Sequence, residues 1–294
     1  MSKIEWTDET WNPTTGCNKV SEGCKNCYAE VQHRRMMAMH PKKYKRPFLD
    51  GAFADEASLE NPLHFKKPTK FFVNSMSDLF HENISFTFIA RVFRMMEDCP
   101  QHTFQVLTKR PERMLEFWNW FSKHALPPAE NVWLGVSCEN QKAADERIPL
   151  LLQVPAAVRF LSCEPLFGEI NIRKYFTMLR TLHWVIAGGE SGHHARPMHP
   201  DWARGLRDQC KAAGVPFFFK QWGEWVGLEF KKNQVDFDCA AGDVAAGCCL
   251  TEIEFGGVDF VRPGKKKAGR LLDGREWNEF PETSSKFEVQ SLEA

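Results

Sequence analysis

Short apolar runs recur along the chain at a nearly fixed interval, and that interval constrains the fold more than any other feature. The runs fall at Lys70–Asn74, Thr103–Leu107, Val132–Val136, Val158–Leu161, His183–Ala187 and Pro216–Phe219. Each is four or five residues long and most are apolar on consecutive positions, the pattern of a parallel strand buried on both faces. Their starts lie about 25–33 residues apart, the length of a βαβ unit. Helical segments fit between them. Ser85 is placed to cap a helix with Phe86, Ile89, Phe93 and Met96 on one face, Pro111 suits a first turn, and Asn140 opens a third helix. A fourth runs from Asp201 to Ala213 and stops at Gly214. Six such strands predict an α/β fold, a partial (βα)6 TIM-like barrel, and not a sandwich.

The flanks break the rhythm. Residues 1–69 hold a cysteine cluster and a loop-rich basic stretch, and the chain after Gly223 is rich in glycine and charge. We expect residues 1–223 to form the barrel with its cysteine loop and basic segment. Residues 224–294 then form a small β-rich hairpin extension packed on it. The first ten residues carry no apolar signal core, and runs such as Phe217–Phe219 are far too short to cross a bilayer. A cytoplasmic protein with no membrane partner is expected, its thiols reduced. The formal net charge of zero excludes a protein that coats nucleic acid by bulk charge, so any such contact must be local.

Three of the ten cysteines, Cys17, Cys24 and Cys27, fall on one loop that contains Gly16 and Gly23. In a reducing compartment such a cluster reads as metal ligands and not as disulfides. The count of three matters. A structural zinc takes four protein ligands, whereas a four-iron cluster held by three thiolates leaves one iron open. A fourth zinc ligand would have to come from His33, His40 or the Cys248-Cys249 pair, and cysteines that bind nothing are a third possibility. Cys99, Cys138, Cys163 and Cys210 sit in or beside apolar segments and read as small buried hydrophobes.

In a parallel barrel the residues just after each strand line the site at the C-terminal face. Here they are polar at every strand: Ser75, Ser77 and Asp78; Thr108, Lys109 and Arg110; Ser137 and Glu139; Ser162 and Glu164; Gly188, Gly189, Glu190 and Ser191; Lys220 and Gln221. Either they converge on one pocket or they are ordinary turn and cap residues. Glu139 and Glu164, following adjacent strands, suit acid–base work or helix capping equally. Gly188-Gly189-Glu190 permits close backbone approach to a ligand or a tight turn. His193, His194 and His199 read as solvated loop histidines. From Val31 to Leu49 there is no acid, while Arg34, Arg35, Lys42, Lys43, Lys45 and Arg46 are basic. That is either a solvated face or a rim for nucleic acid, with Tyr44 available to stack bases. No Walker loop or G-x-G-x-x-G motif occurs, which excludes the nucleotide hydrolysis and Rossmann chemistry those motifs carry.

The segments Thr10-Trp11-Asn12-Pro13-Thr14-Thr15-Gly16-Cys17 and Ser21-Glu22-Gly23-Cys24-Lys25-Asn26-Cys27-Tyr28-Ala29 resemble the phage and bacterial three-cysteine-motif proteins. That family has no assigned function and is similar to the radical S-adenosylmethionine enzymes. The resemblance continues through Phe160-Leu161-Ser162-Cys163-Glu164-Pro165-Leu166, Gly188-Gly189-Glu190-Ser191-Gly192, Arg196-Pro197-Met198, Phe219-Lys220-Gln221-Trp222-Gly223 and Lys266-Lys267-Ala268-Gly269-Arg270-Leu271-Leu272-Asp273-Gly274. It implies a barrel of the radical S-adenosylmethionine type with a [4Fe-4S] cluster on Cys17, Cys24 and Cys27. S-adenosylmethionine would bind the open iron and be cleaved to a 5′-deoxyadenosyl radical. Six residues separate the first two cysteines, where those enzymes usually have three. Their Gly-Gly-Glu run holds the methionyl amino group, usually nearer the front of the barrel.

The expectation is therefore a radical S-adenosylmethionine-like enzyme that modifies or repairs a nucleic acid or nucleobase. Glu139, Glu164 and Lys220 are its candidate catalytic groups. Tyr28, Ser75, Asp78, Ser137, Gly188, Gly189 and Glu190 are expected at the cofactor, and Lys109, Arg110, Arg196 and Gln221 at the substrate. The partners would be nucleic acid, along the basic segment Arg34 to Arg46, and an unidentified reductant protein. A zinc-stapled nucleic-acid-binding module without catalysis is the alternative. A third reading is an iron–sulfur protein with every iron ligated, serving another enzyme as a light-driven or redox partner.

Overall fold

A computed structural model describes residues 4–122, 129–176, 181–228 and 252–282. The first strand, β1 (Glu9–Trp11), is followed by two short strands, β2 (Thr14–Thr15) and β3 (Phe53–Ala54), which pair antiparallel. The repeating unit then begins with β4 (Lys70–Val73), β5 (Thr103–Thr108), β6 (Val132–Ser137), β7 (Val158–Cys163), β8 (Trp184–Gly188) and β9 (Phe217–Gln221). These six correspond to the six apolar runs. A seventh strand joins them, because β1 pairs parallel with β4 and gives the order β1-β4-β5-β6-β7-β8-β9. The result is an α/β fold built on a curled, parallel half-barrel surrounded by helices.

Side chains alternate between the two faces of each strand. On the outer face, Phe71, Val73, Val106, Leu134, Val136, Leu161, Val185 and Phe219 pack against four helices. These are α2 (Phe86–Glu97), α3 (Pro111–Phe121), α4 (Gln141–Leu151) and α5 (Pro200–Ala213). Their starts follow ordinary capping chemistry. The Ser85 hydroxyl accepts from the Phe88 amide and the Asn140 side chain from the Ala143 amide, while Pro111 opens α3. Gly214 closes α5 in the left-handed conformation, at φ 66°.

The inner face holds Trp6, Phe72, Trp133, Phe160, Trp184, Ile186 and Phe218. These rings fill the lower half of the barrel. Gly135 of β6 makes room for one of them, since a Cβ there would lie 2.6 Å from the Phe160 ring. The stretch expected to be loop-rich contains a helix, α1 (Tyr28–Met39). It buries only Ala29 and His33 and leaves Val31 and Met39 exposed, so it carries no apolar stripe that a periodic reading would detect.

After β9 come β10 (Val226–Gly227), β11 (Glu252–Phe255) and β12 (Val258–Val261), which form a three-stranded antiparallel sheet. The tail then returns to the barrel. The Phe219 amide donates to the Trp277 carbonyl at 2.9 Å, and the Trp184 indole donates to the Glu279 carbonyl at 2.8 Å. Among the described residues no helix is long and apolar enough to cross a membrane. Gly135→Ala should destabilise the fold by about 1–3 kcal/mol through overpacking. Phe160→Leu in the same chain should recover part of that loss, which a double-mutant cycle by urea unfolding will measure.

Candidate functional site

Parallel strands end on the same side, so whatever follows each of them gathers at one rim. The inner-face alternation sets what that rim presents. Reading up each strand gives Gln105 and Leu107 on β5 with Lys109 just past its end, Trp133, Gly135 and Ser137 on β6, Phe160 and Ser162 on β7 with Glu164 just past its end, and Phe218 and Lys220 on β9. Aromatic rings below give way to polar groups above. A cavity of about 780 Å³ opens there, within the usual range for small-ligand sites. It is lined by Cys17, Cys24, Cys27, Tyr28, Ser75, Asp78, Lys109, Arg110, Ser137, Glu164, Gly189, Glu190 and Lys220.

The cysteine loop follows β1, which carries it to this rim. Little regular structure holds it; side chains from distant strand ends do. The Arg110 guanidinium bonds the Asn18 carbonyl at 3.5 Å, meets the Asn18 side chain, and lies 3.6 Å from the Cys17 sulfur. Arg196 donates to Glu22 Oε1 at 2.8 Å and to its carbonyl at 3.2 Å. The same guanidinium grips Glu190 through two 2.9 Å bonds and stacks 3.6 Å over the Phe167 ring. Asn26, inside the loop, donates to Glu190 at 3.2 Å and to the His194 carbonyl at 2.8 Å. Glu139 sits beneath Gly23, and a Cβ on that glycine would lie 3.2 Å from its carboxyl carbon.

The three thiols differ electrostatically. Burial pushes Cys17 up to about 12, and the Asp78 charge pushes the same way. Burial also raises Cys27, opposed by the Glu30 and Ala29 amides at the start of α1. At Cys24 burial is outweighed by the Lys109 ammonium and by backbone hydrogen bonds at Val20 and Ser21, so its value falls. A positive charge therefore stands beside at least one of the three thiols.

Four expected site residues do not line the cavity. Glu139 is buried and clamped by Arg147, at 2.9 Å, under the loop. Burial alone would raise its pKa, but Lys109 and Arg147 hold it below the usual carboxylate range. Glu139 and Glu164 are thus not a mutual pair, since Glu164 accepts from Lys220 at 2.8 and 3.0 Å. Arg196 lies behind the loop. Gln221 bonds the Gly189 carbonyl at 2.9 Å. Gly188 is covered, and its carbonyl accepts from the Leu166 amide. Gly189 lines the cavity, yet its missing Cβ has a packing reason, because a methyl there would collide with the Trp222 carbonyl.

Asp78 accepts from Thr108, from the Lys109 amide and from Arg110, which fixes the end of β5. The Tyr28 hydroxyl donates to the Ser75 carbonyl at 2.6 Å. Among the proposed fourth zinc ligands, His33 is buried against Tyr44 and Phe48, with Nε2 2.8 Å from the Arg46 carbonyl. His40 is the exposed C-cap of α1, and Cys248-Cys249 lie outside the described residues. His199 caps α5 by accepting from the Asp201 amide. Among the described residues no three His, Cys, Asp or Glu side chains converge on a point fit for a single metal ion. In the basic segment, Lys43 is held by Asp55 at 2.9 Å and Arg46 stacks on Phe53.

Three cavity or loop residues were not foreseen. Asn12, in the Trp-Asn-Pro motif, accepts from the Met76 amide at 2.9 Å and so fixes the turn after β4. Asn26 had a signal only in its place between two cysteines. Asn74, at φ 62°, lines the cavity from the end of β4. The Glu190 carboxyl titrates low in the folded state: burial raises it, but bonds from Arg196 and Asn26 prevail. A depressed folded value contributes stability above the unfolded pKa and loses it as pH falls through the folded one. Arg196→Met should therefore raise the acid-unfolding midpoint and flatten the stability profile below about pH 4.5, measured by circular dichroism across an acid titration.

A search of curated proteins and one of solved structures each yield no match. A family model described as "Protein of unknown function (DUF5131)" matches residues 1–281. The chain therefore belongs to the DUF5131 family.

Proposed function

We propose that this chain is a radical S-adenosylmethionine-type iron–sulfur enzyme, cytoplasmic and of phage-protein kinship, acting on a nucleic acid or nucleobase. One observation carries the reading. Three thiols on one loop, pinned from several strand ends, line the same cavity as the polar residues at the C-terminal rim of a parallel half-barrel.

The donor set fits a [4Fe-4S] cluster. In such a cluster each thiolate meets a different iron, so the sulfurs need not converge as the ligands of a single zinc must. Cys17, Cys24 and Cys27 would hold it and leave one iron for S-adenosylmethionine. Bound together, the two supply one-electron reductive cleavage to a carbon-centred radical, with electrons from an external reductant protein. The protein's part is positional and electrostatic. Arg110 and Lys109 place positive charge beside the thiolates. The Glu164–Lys220 pair gives the cavity a carboxylate and an ammonium in hydrogen-bond contact, able to hold or pass a proton. Trp6, Tyr44, Phe48 and Phe72 in the wall keep water out. Arg35, Lys42 and Lys45 of the basic segment, which make no ion pair among the described residues, suit the phosphates of a nucleic acid.

Anaerobic reconstitution should give a brown protein with about four irons per chain. Adding S-adenosylmethionine should change its electron paramagnetic resonance spectrum and yield 5′-deoxyadenosine once reduced. Cys17→Ala, Cys24→Ala and Cys27→Ala should each lose the visible absorption, while Cys99→Ala in the core keeps it. A colourless protein with stoichiometric zinc would sink the reading in favour of a zinc-stapled binding module.

A further inference from the structure

The three cysteines hang from different parts of the molecule. The Cys17 end is tied to Phe48 and to the turn after β4: its amide donates to the Phe48 carbonyl at 2.8 Å, and the Ser77 hydroxyl donates to the Gly16 carbonyl at 2.6 Å. Cys27 immediately precedes α1, whose Tyr28 bonds the Ser75 carbonyl. Between them, the chain around Cys24 rests above Glu139 and is gripped from the side. Its neighbours Glu22 and Asn26 both reach the loop after β8, Glu22 through Arg196, and Asn26 through Glu190 and the His194 carbonyl. The position of Cys24 is therefore only as firm as residues 190–196.

Those residues form neither helix nor strand, so their backbone groups need partners from elsewhere. The C-terminal sheet supplies them. The Trp225 indole donates to the Ala195 carbonyl at 2.7 Å, in a buried bond. The Arg262 guanidinium donates to the Gly192 carbonyl at 3.0 Å and to that of His193, and it stands 5.6 Å from the centroid of the Trp225 ring. The Gly192 amide donates to the Glu224 carboxylate at 3.0 Å. Trp225, Ala195 and Phe260 form a small buried cluster of their own. None of Glu224, Trp225 and Arg262 lines the cavity. We infer that the sheet of β10, β11 and β12 is a positioning element for the cysteine loop. Through Trp225 and Arg262 it fixes residues 190–196, and through them it sets Cys24 relative to Cys17 and Cys27. Trp225 and Arg262 are thus positioning residues that act at second hand, whichever metal the thiols hold. The inference rests on the reading above only in taking the three thiols as one donor set.

Iodoacetamide labelling of the full-length protein without added metal, read cysteine by cysteine by mass spectrometry, tests it. Trp225→Phe keeps an aromatic ring and removes the indole donor. Arg262→Met keeps the stem and removes both guanidinium bonds. Each should speed the labelling of Cys24 about tenfold, the scale of one lost buried bond acting on a local opening, and leave Cys17 and Cys99 at parental rates. Arg262→Lys should recover part of the loss, since an ammonium still reaches one carbonyl. Asn26→Ala should speed Cys24 by itself. Combined with Arg262→Met it should fall short of the product of the two effects, because both cut one chain of contacts. Labelling at about pH 9.5, above the ordinary thiol range, keeps a change in the ionisation of Cys24 from masking gained access. A sheet that only added general stability would speed Cys99 as well. The inference is overturned if Cys24 labels at the parental rate in both variants, or if Cys17 and Cys99 rise by the same factor as Cys24. If circular dichroism shows Arg262→Met unfolded, Trp225→Phe decides. Metal content is read separately: a protein that takes up zinc and stays colourless, yet frees Cys24 alone in these variants, rejects the radical enzyme and keeps this role for the sheet.

Discussion

Parallel pairing is the constraint from which the rest of the molecule follows. Strands that run the same way must all end on the same side, so each connection begins at one rim and returns from the other. With seven such strands, that rim collects seven chain segments. Side-chain alternation then decides which residues look inward. Below, on β6, β7 and β9, the inward positions are rings that fill the barrel; two or four residues further up, they are Ser137, Ser162, Glu164 and Lys220, and Lys109 follows Leu107 of β5 in the same way. The cavity is what remains where the rings stop.

The segment after β1 shows how such a rim can carry a loop with little structure of its own. Residues 17–27 contain only one short turn of helix, so their own backbone bonds cannot fix them. Fixation comes from Arg110, Arg196, Glu139 and Asn26, and the first three belong to different strand ends. Isolated exposed ion pairs contribute little, but these act as a network with partly buried members, where breaking one partner strands another. Removing Arg196 leaves Glu190, whose side chain is 4% exposed, without its cation. Much of the polarity at the rim is therefore mechanical, holding three thiols in place, and only part of it faces the cavity.

That division explains what could be read from the sequence. The six apolar strands and the four capped helices were legible because burial on both faces and capping leave local marks. β1 was not: Glu-Thr-Trp is three residues long, two of them polar, and becomes a strand only through its tertiary pairing with β4. α1 was hidden for the opposite reason, since it meets the barrel with two buried residues and a mixed exposed face. At the site, the rule that strand ends face one rim found the right neighbourhood but could not tell wall from clamp. Glu139 and Glu164 have the same sequence context, yet one is sealed beneath the loop by Arg147 and the other opens to the cavity beside Lys220. Nothing local separates them, because the difference lies in a partner eight residues away on a helix for one and on a distant strand for the other. Asn74 was invisible for a similar reason, as its place in the cavity wall comes from the left-handed turn that ends β4 and not from any local motif.

The electrostatics of the cavity follow from the same division. Carboxylates at the rim are spent on holding arginines and a lysine, and two of those arginines, Arg110 and Arg196, in turn hold the loop. The Lys109 ammonium stands outside this arrangement, since Asp78 Oδ2 accepts from its backbone amide, at 3.1 Å, and from Arg110, while Oδ1 accepts from Thr108 and the Phe80 amide. Its ammonium is left to act over the cysteines, lowering Cys24 against the effect of burial. Burial pushes Cys17 and Cys27 up, so within the loop the effect of this ammonium prevails over burial at Cys24. One side chain thus acts on both the cysteine loop and the buried Glu139 beneath it, whose carboxyl its charge holds low together with Arg147.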